Sequence, residues 1–409
     1  MDNYIVRELG RGSNIDFEEM KEVEKLIQNA DTLAYGPLRD KFEEEFAAYC
    51  NVKYAISATS ATTALYMAAQ ILKLKENDEI IGTPQTFRAT YTGALSKGVR
   101  IRFADIDPAT LNIDPATIED KITDKTKAIY VTHYGGNPVE MEPIMDIAKR
   151  HNLKVVEDAA HAPGAEYHGK KIGSIADITC FSFHSLKNMS TFGEGGMITT
   201  NNPEYAAAAK TLRTMGILGT TKPREDTAIG PYPMHNGSYH DHADGAYTQD
   251  FEDIEEWGNN FRISEVQAAV GSVQLRKLDD MNRMRAKAAD LYTEGLSKIE
   301  GIRVLKSTPD ALNVWHLYPC FIDRSTIKAS RDEFIYYLQD TKKIQIIQRY
   351  FPIHLTNYMR YFGHKYGECP VCEKVWFEEQ INLPINPRIT ADQIDYVVNS
   401  IKEAVEHFR

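Results

Sequence analysis

Cysteine is scarce. Cys50, Cys180, Cys320, Cys369 and Cys372 are the only five in 409 residues. An odd, scattered set predicts reduced thiols rather than a disulfide framework. No apolar run approaches the roughly 20 residues that span a bilayer. The opening MDNYIVRELGRGSN also lacks the apolar core of a secretion signal. The expectation is a cytoplasmic protein with no membrane partner. Positive charge is in deficit: 47 Lys+Arg stand against 58 Asp+Glu, a net charge of -11. A nonspecific nucleic-acid binder carries a basic footprint, so that class is excluded. A local basic pocket for one phosphate is not. Internal repeats and low-complexity segments are absent too.

What is present looks globular. The chain is 43% hydrophobic and 26% charged, close to the soluble average, so a sizeable core is available. Its length predicts two or three domains at roughly 150 residues each. Residues 1–35 read as an N-terminal arm with one helix. Then apolar, β-rich runs recur: YAISA (54–58), EIIGTP (79–84), RIRFADI (100–106), KAIYVTH (127–133), LKVVED (153–158), ITCFSF (178–183) and GMITT (196–200). Helical patterns such as TTALYMAAQILK (62–73) and MEPIMDIAKRH (141–151) separate several of them. Strands alternating with helices predict an α/β fold with a mainly parallel central sheet flanked by helices.

The pattern fails over 216–250, which is rich in Gly, Pro, His and Asp. That is too long for a plain connection and reads as a functional insert. A long helix over 264–299 then leads to a smaller C-terminal α/β domain. There VWHLYPCFID reads as a strand, and RDEFIYYLQD and TADQIDYVVNSIKEAVEHF read as helices. The expected domains are 36–275, containing the insert, and 276–409.

Chemistry concentrates at strand ends. Asp158 closes LKVVED. In open α/β sheets ligands bind outside the carboxyl ends of strands, so this carboxylate faces the ligand crevice. Alone it reads equally as a helix N-cap. Lys187 follows the next strand, in CFSFHSLKNMSTFGEGGM. Alone it reads as a solvated lysine. Together the two suit pyridoxal 5′-phosphate (PLP). The lysine forms a Schiff base with the aldehyde, and the acid keeps the pyridine nitrogen protonated. Such a lysine needs a lowered pKa, which burial or a neighbouring cation provides. PLP also needs a phosphate cradle. SATSATTALYMAAQ offers small hydroxyl residues at a helix N-terminus, where free N–H groups attract an anion.

Four blocks together resemble the DegT–DnrJ–StrS family of PLP-dependent sugar aminotransferases: SATSATTAL, VEDAAHAPGA, FSFHSLKN with TFGEGGMITT, and GNNFRISEVQAAVGSVQLRKL. THYGGNPVEMEPIMDIAKRHNLKVVED and CPVCEKVWFEEQINLPINPRITADQID agree with it. The resemblance runs from about residue 33 to the end and implies the PLP transferase fold of type I. It implies that Lys187 carries the cofactor and moves the proton. Asp158 would pair with the pyridine nitrogen, His161 would lie near the phenolic oxygen, and Phe87 would stack on the ring. Ala61, Thr62 and Ser182 would hold the phosphate. Asn260 would reach it from the neighbouring subunit, which requires a homodimer with shared active sites. Arg262 would grip a substrate or donor carboxylate, or else form a structural ion pair. His354 would sit near the sugar-binding mouth, or else pack as an interface histidine.

The implied reaction moves an amino group from glutamate or glutamine to a ketone of a sugar, most commonly a nucleotide-linked keto-deoxysugar, in amino-sugar or surface-polysaccharide synthesis. Keto-cyclitols, free keto-sugars and keto-sugar acids are alternatives. A pyridoxamine-dependent sugar dehydratase would carry a histidine in place of Lys187. A non-catalytic ligand sensor would not need the lysine–acid pair. The insert is expected to border the active site. HDHAD (240–244) has metal-ligand residue types but no metal is expected, CPVC (369–372) lacks a second CxxC, and GEGG reads as a turn behind the lysine.

Overall fold

The computed structural model describes residues 4–216 and 257–409, apart from Leu9 and Tyr35. Residues 217–250 of the expected insert, HDHAD among them, lie outside the described residues.

Helices α1 (Phe17–Asn29) and α2 (Pro37–Cys50) precede β1 (Tyr54–Ala58), α3 (Ala61–Ile71), β2 (Glu79–Gly82), α4 (Ala89–Leu95) and β3 (Arg100–Phe103). Then come β4 (Thr126–Thr132), α5 (Met141–Arg150), β5 (Lys154–Asp158), β6 (Ile178–Ser182), β7 (Gly196–Thr200) and α6 (Pro203–Arg213). The seven strands form one sheet in the order β1-β7-β6-β5-β4-β2-β3. β6, β5, β4, β2 and β3 pair in parallel. β7 is antiparallel to both β6 and β1. Its polarity follows from the connection 183–195, which contains no helix. A parallel return needs a crossover that this segment does not build.

Alternate residues of a strand face opposite sides. In β4, Ala128 and Tyr130 join one core with Ala64, Tyr91 and Ala206 from α3, α4 and α6. Ile129 and Val131 join a second core with Phe42, Ile144 and Leu278 from α2, α5 and α7 (Glu265–Leu296). Burial on both faces is why these strands read as nearly unbroken apolar runs. The helices are fixed at their ends. Ser60 accepts from the Thr63 N–H at 3.2 Å, and the Thr63 hydroxyl receives the Ser60 N–H at 3.0 Å. α2 has no capping side chain of its own. Glu265 supplies one, accepting from the N–H groups of Leu38 and Arg39 at 2.9 and 3.0 Å. This bond pair fastens α7 to α2.

The second half of α7 gives Ala288, Tyr292 and Leu296 to a third core. β8 (Ile302–Val304), β9 (Tyr318–Ile322) and β10 (Gln380–Leu383) form an antiparallel sheet there, with β9 central. α8 (Arg331–Tyr336) and α9 (Ala391–His407) pack against it. RDEFIYYLQD is α-helical only as far as Tyr336, and 337–341 widens into a π turn. The N-terminal arm is tied to both parts. Val6 bridges Ile344 in parallel, and the Gly12 N–H donates to the Ser185 carbonyl at 2.8 Å. A Cβ at Gly12 would lie 2.0 Å from the Leu186 carbonyl oxygen, so the approach requires glycine.

Candidate active site

The last residues of three adjacent parallel strands, Thr132, Asp158 and Ser182, open on one cavity of about 320 Å3. This is the crevice at strand carboxyl ends that open α/β sheets use. Asp158 is nearly buried, at 5% exposure. Its Oδ2 accepts from Thr90 Oγ1 at 2.6 Å and its Oδ1 from the Ala160 N–H at 3.1 Å. Burial raises its pKa, opposed by those two bonds and by the nearby Lys187. Among the described residues no cation pairs with it at ion-pair distance. A protonated ring nitrogen would supply the missing partner.

Lys187 lines the same cavity, from the connection between β6 and β7. Its backbone N–H donates to the His184 carbonyl at 2.8 Å, which sets the turn. Among the described residues nothing hydrogen-bonds its amine. Burial lowers the amine's pKa to about 8; Asp158 and Glu194 work against the fall and Arg349 adds to it. An amine poised there is neutral often enough to act as nucleophile and base.

The N-terminus of α3 closes another side. Ala61 and Thr62 line the cavity. First-turn N–H groups have no intrahelical acceptor, and Ser60 takes only that of Thr63. β7 runs close behind: a Cβ on Gly196 would lie 2.4 Å from the Ser60 carbonyl carbon and 2.7 Å from the Ala61 nitrogen. Ser182 shares the rim. These groups fit a phosphate. The acid, the lysine and the anion cradle converge on one cavity, so the residues present fit PLP.

His161 lines the cavity at 3% exposure, and burial holds its pKa well below the usual value, so the ring is neutral. Its Nδ1 accepts from the Gly135 N–H at 3.3 Å. The proton is therefore assigned to Nε2, which donates to Tyr350 Oη at 3.0 Å. The Tyr350 hydroxyl keeps its own proton to offer to the cavity. His316 stacks on His161 with centroids 4.3 Å apart, also neutral through burial. Phe87 stands at the open flank, 43% exposed, its ring 5.7 Å from that of Tyr350.

This geometry separates seven expected site residues from three others: Lys187, Asp158, His161, Phe87, Ala61, Thr62 and Ser182 line the cavity, while Asn260, Arg262 and His354 lie outside the lining. Asn260 is exposed and bridges Thr214, on a segment whose Phe261 carbonyl accepts from the Thr59 N–H at 2.9 Å, beside the entry to α3. Arg262 is half-buried and His354 fully buried, both outside the lining. His354 Nε2 meets Glu373 Oε1 at 2.8 Å, and its ring sits against Phe103. These contacts pack the histidine inside the chain. Cys369 and Cys372 are buried free thiols with raised pKa.

Sequence reasoning missed Thr90, His316, Arg349 and Tyr350. Thr90 had a signal, lying three residues after Phe87 in TFRAT. The others come from segments more than a hundred residues away from Lys187, and no local pattern marks them.

The family model for the DegT/DnrJ/EryC1/StrS aminotransferase family matches residues 13–402. The spore coat polysaccharide biosynthesis protein SpsC of Bacillus subtilis is 34% identical over 95% of each chain. The dTDP-3-amino-3,6-dideoxy-alpha-D-galactopyranose transaminase of Aneurinibacillus thermoaerophilus is 34% identical over 94% of each. The structure of Helicobacter pylori PseC, an aminotransferase involved in pseudoaminic acid biosynthesis, superposes with a TM-score of 0.84 at 27% identity, over 98% of this chain and 100% of that one.

Proposed function

The chain belongs to the DegT/DnrJ/EryC1/StrS aminotransferase family and is a PLP-dependent aminotransferase; we propose that it moves an amino group from glutamate or glutamine to the ketone of a sugar, taken as a nucleotide-linked keto-deoxysugar, for amino-sugar or surface-polysaccharide synthesis. The observation that carries the reading is the convergence of Lys187, Asp158 and the α3 N-terminus on one cavity. The relative named as a dTDP-sugar transaminase supports the substrate class.

When bound, PLP supplies a reactive aldehyde and an electron-withdrawing ring. The protein does the rest. The first turn of α3 and Ser182 would bind its phosphate. Asp158, fixed by Thr90 and Ala160, would hold a proton at the ring nitrogen. Neutral His161 would serve the phenolic oxygen, and Phe87 would cover one ring face. Lys187 Nζ takes the proton from the donor carbon that bears the amine and keeps it inside the cavity, away from bulk water. Asn260 is assigned to the phosphate of the neighbouring subunit in a homodimer, which accounts for its exposed position beside α3. Among the described residues no helix is long and apolar enough to cross a membrane.

The test is Lys187→Ala, compared with the parent for the PLP absorbance band and for turnover of a keto-sugar panel with glutamate. The variant is expected to lose both. Retained turnover and an unchanged band would refute the assignment.

A further inference from the structure

We propose that Arg349 is the clamp for the carboxylate of the amino donor, and that Glu8 of the N-terminal arm occupies this clamp until the donor displaces it. The inference rests on the aminotransferase reading above. An amino acid brings a carboxylate one carbon from the amine that reacts. Lys187 must reach that carbon, so a second cation is needed within the same cavity. Among the described residues lining it, Arg349 is the one guanidinium. Of the histidines on the lining, His161 and His316 are kept neutral by burial, and His184 lies 3.7 Å from the Glu194 carboxylate. Arg262, expected from the sequence as a carboxylate partner, lies outside this subunit's lining, and on the homodimer reading it goes with Asn260 to the neighbouring cavity.

Arg349 is rigidly mounted. Its carbonyl accepts from Tyr134 Oη and from Gln380 Nε2, the latter at 2.9 Å, and its N–H donates to Asn382 Oδ1 at 3.4 Å. Gln380 and Asn382 belong to β10. The next residue, Tyr350, is bonded to His161. The guanidinium therefore hangs from a fixed strap beside the reacting lysine.

Its present partner comes from elsewhere. Glu8 Oε1 lies 3.4 Å from Arg349 Nη1, with the two side chains only 19% and 15% exposed. The Glu8 N–H donates to Gln345 Oε1 at 3.1 Å, and the Gln345 N–H donates to the Val6 carbonyl at 2.8 Å. The arm, not the cavity wall, thus supplies the carboxylate. One long contact uses one nitrogen of a group built to bind a carboxylate at two points. Burial also raises the Glu8 pKa, with Arg349 and Arg285 only opposing it, so Glu8 is a poorly solvated anion. Exchanging it for a substrate carboxylate swaps one anion for another at unchanged charge on Arg349.

The test uses the holoenzyme and glutarate, a dicarboxylate with no amine to react, titrated by calorimetry. Arg349→Gln is expected to weaken glutarate binding roughly 10- to 100-fold, as loss of a charge-assisted pair does. Arg349→Lys is expected to fall between, since it keeps the charge without the fork. Glu8→Gln is expected to bind glutarate at least ~3-fold more tightly, because the competing anion is gone. In steady state Arg349→Gln is expected to raise KM for glutamate and leave KM for the keto-sugar unchanged. Its PLP absorbance is expected to match the parent, which separates this outcome from failure to bind cofactor.

Equal glutarate affinity in parent and Arg349→Gln, with cofactor retained, overturns the proposal. If Arg349→Gln loses cofactor, unchanged glutarate affinity in both Arg349→Lys and Glu8→Gln overturns it instead. Weakened binding of glucuronate but not of glutarate would move the clamp from donor to an acidic sugar and overturn it too. A parent that bound no PLP would refute the aminotransferase reading and leave the glutarate comparison to decide Arg349 alone.

Discussion

Thr90 and Asp158 are joined by a hydrogen bond of 2.6 Å across 68 residues of sequence. It ties the first turn of α4 to the end of β5. Thr90 has one hydroxyl proton and spends it on the carboxylate. Thr86 therefore donates to Thr90 at 2.7 Å, and Thr132 to Thr86 at 2.9 Å. This chain of hydroxyls orients an acid whose pKa burial raises. Thr90→Val keeps the shape and removes the donor. PLP affinity of the apoenzyme is expected to fall roughly 10-fold, the worth of a hydrogen bond to a charged group. Titration with PLP measures it, and unchanged affinity would mean the carboxylate is held in another way.

Lys187 makes the cofactor-free protein sensitive to pH. Its amine titrates at about 8 in the folded chain against an ordinary 10.5, burial being the main cause. Between those values the unfolded chain holds a proton that the folded chain has released, so stability rises with pH through that window. Below it the folded state carries a buried cation at a cost of the order of 1–3 kcal/mol. Lys187→Met is expected to be more stable than the parent by that order at pH 7, with the difference shrinking toward about pH 10.5. Denaturant unfolding of the two apoproteins across pH checks this. Equal stability at pH 7 would show that the amine is well solvated. In the parent, the rate of PLP capture is expected to rise with pH around a midpoint of about 8.

His354, expected from the sequence near the sugar-binding mouth or packed at an interface, lies outside the cavity lining. Its imidazole lies in the core against Phe103, with Nε2 on Glu373 at 2.8 Å. Glu373 also accepts from the Gly367 N–H at 2.8 Å and the Cys369 N–H at 3.3 Å. The pair thus pins the 367–373 turn. His354→Ala leaves a buried carboxylate short of a partner and is expected to cost about 2–4 kcal/mol of stability. KM for sugar and donor is expected to stay within about 2-fold, because the side chain is not in the cavity lining. A large KM change at unchanged stability would place His354 in the sugar site after all.

The same contrast explains what the sequence disclosed. The strands of the large sheet are legible because both faces are covered, so each reads as a short apolar run between breaks. Asp158, Lys187 and Ser182 are legible because they sit at or just beyond strand ends, where the topology already puts a crevice. The reversed β7 follows from the helix-free 183–195 connection. Tyr350, Arg349 and His316 are different. They reach the cavity only because the third core seats β10 and its neighbours beside the main sheet, and that docking leaves no local periodicity. The same holds for Glu8, whose place depends on the parallel bridge between Val6 and Ile344.

Tyr350 and His161 allow the sharpest separation of a shared role from two independent ones. Gly135 fixes His161 Nδ1 as an acceptor, so Nε2–H points at Tyr350 Oη. Tyr350→Phe removes that acceptor and leaves a buried N–H unpaired, for an expected loss of about 1–3 kcal/mol in stability. It also removes the one hydroxyl proton that His161 leaves free to face the cavity, so kcat is expected to fall by roughly 10-fold or more. His161→Phe keeps a ring to stack on His316 but has no N–H. If the two side chains act through their bond, the double variant is expected to lose little more than the worse single one, a coupling of about 1 kcal/mol or more in a double-mutant cycle on kcat. Additive losses would mean that each acts alone, and the assignment of the His161 proton to Nε2 would then lose its functional support.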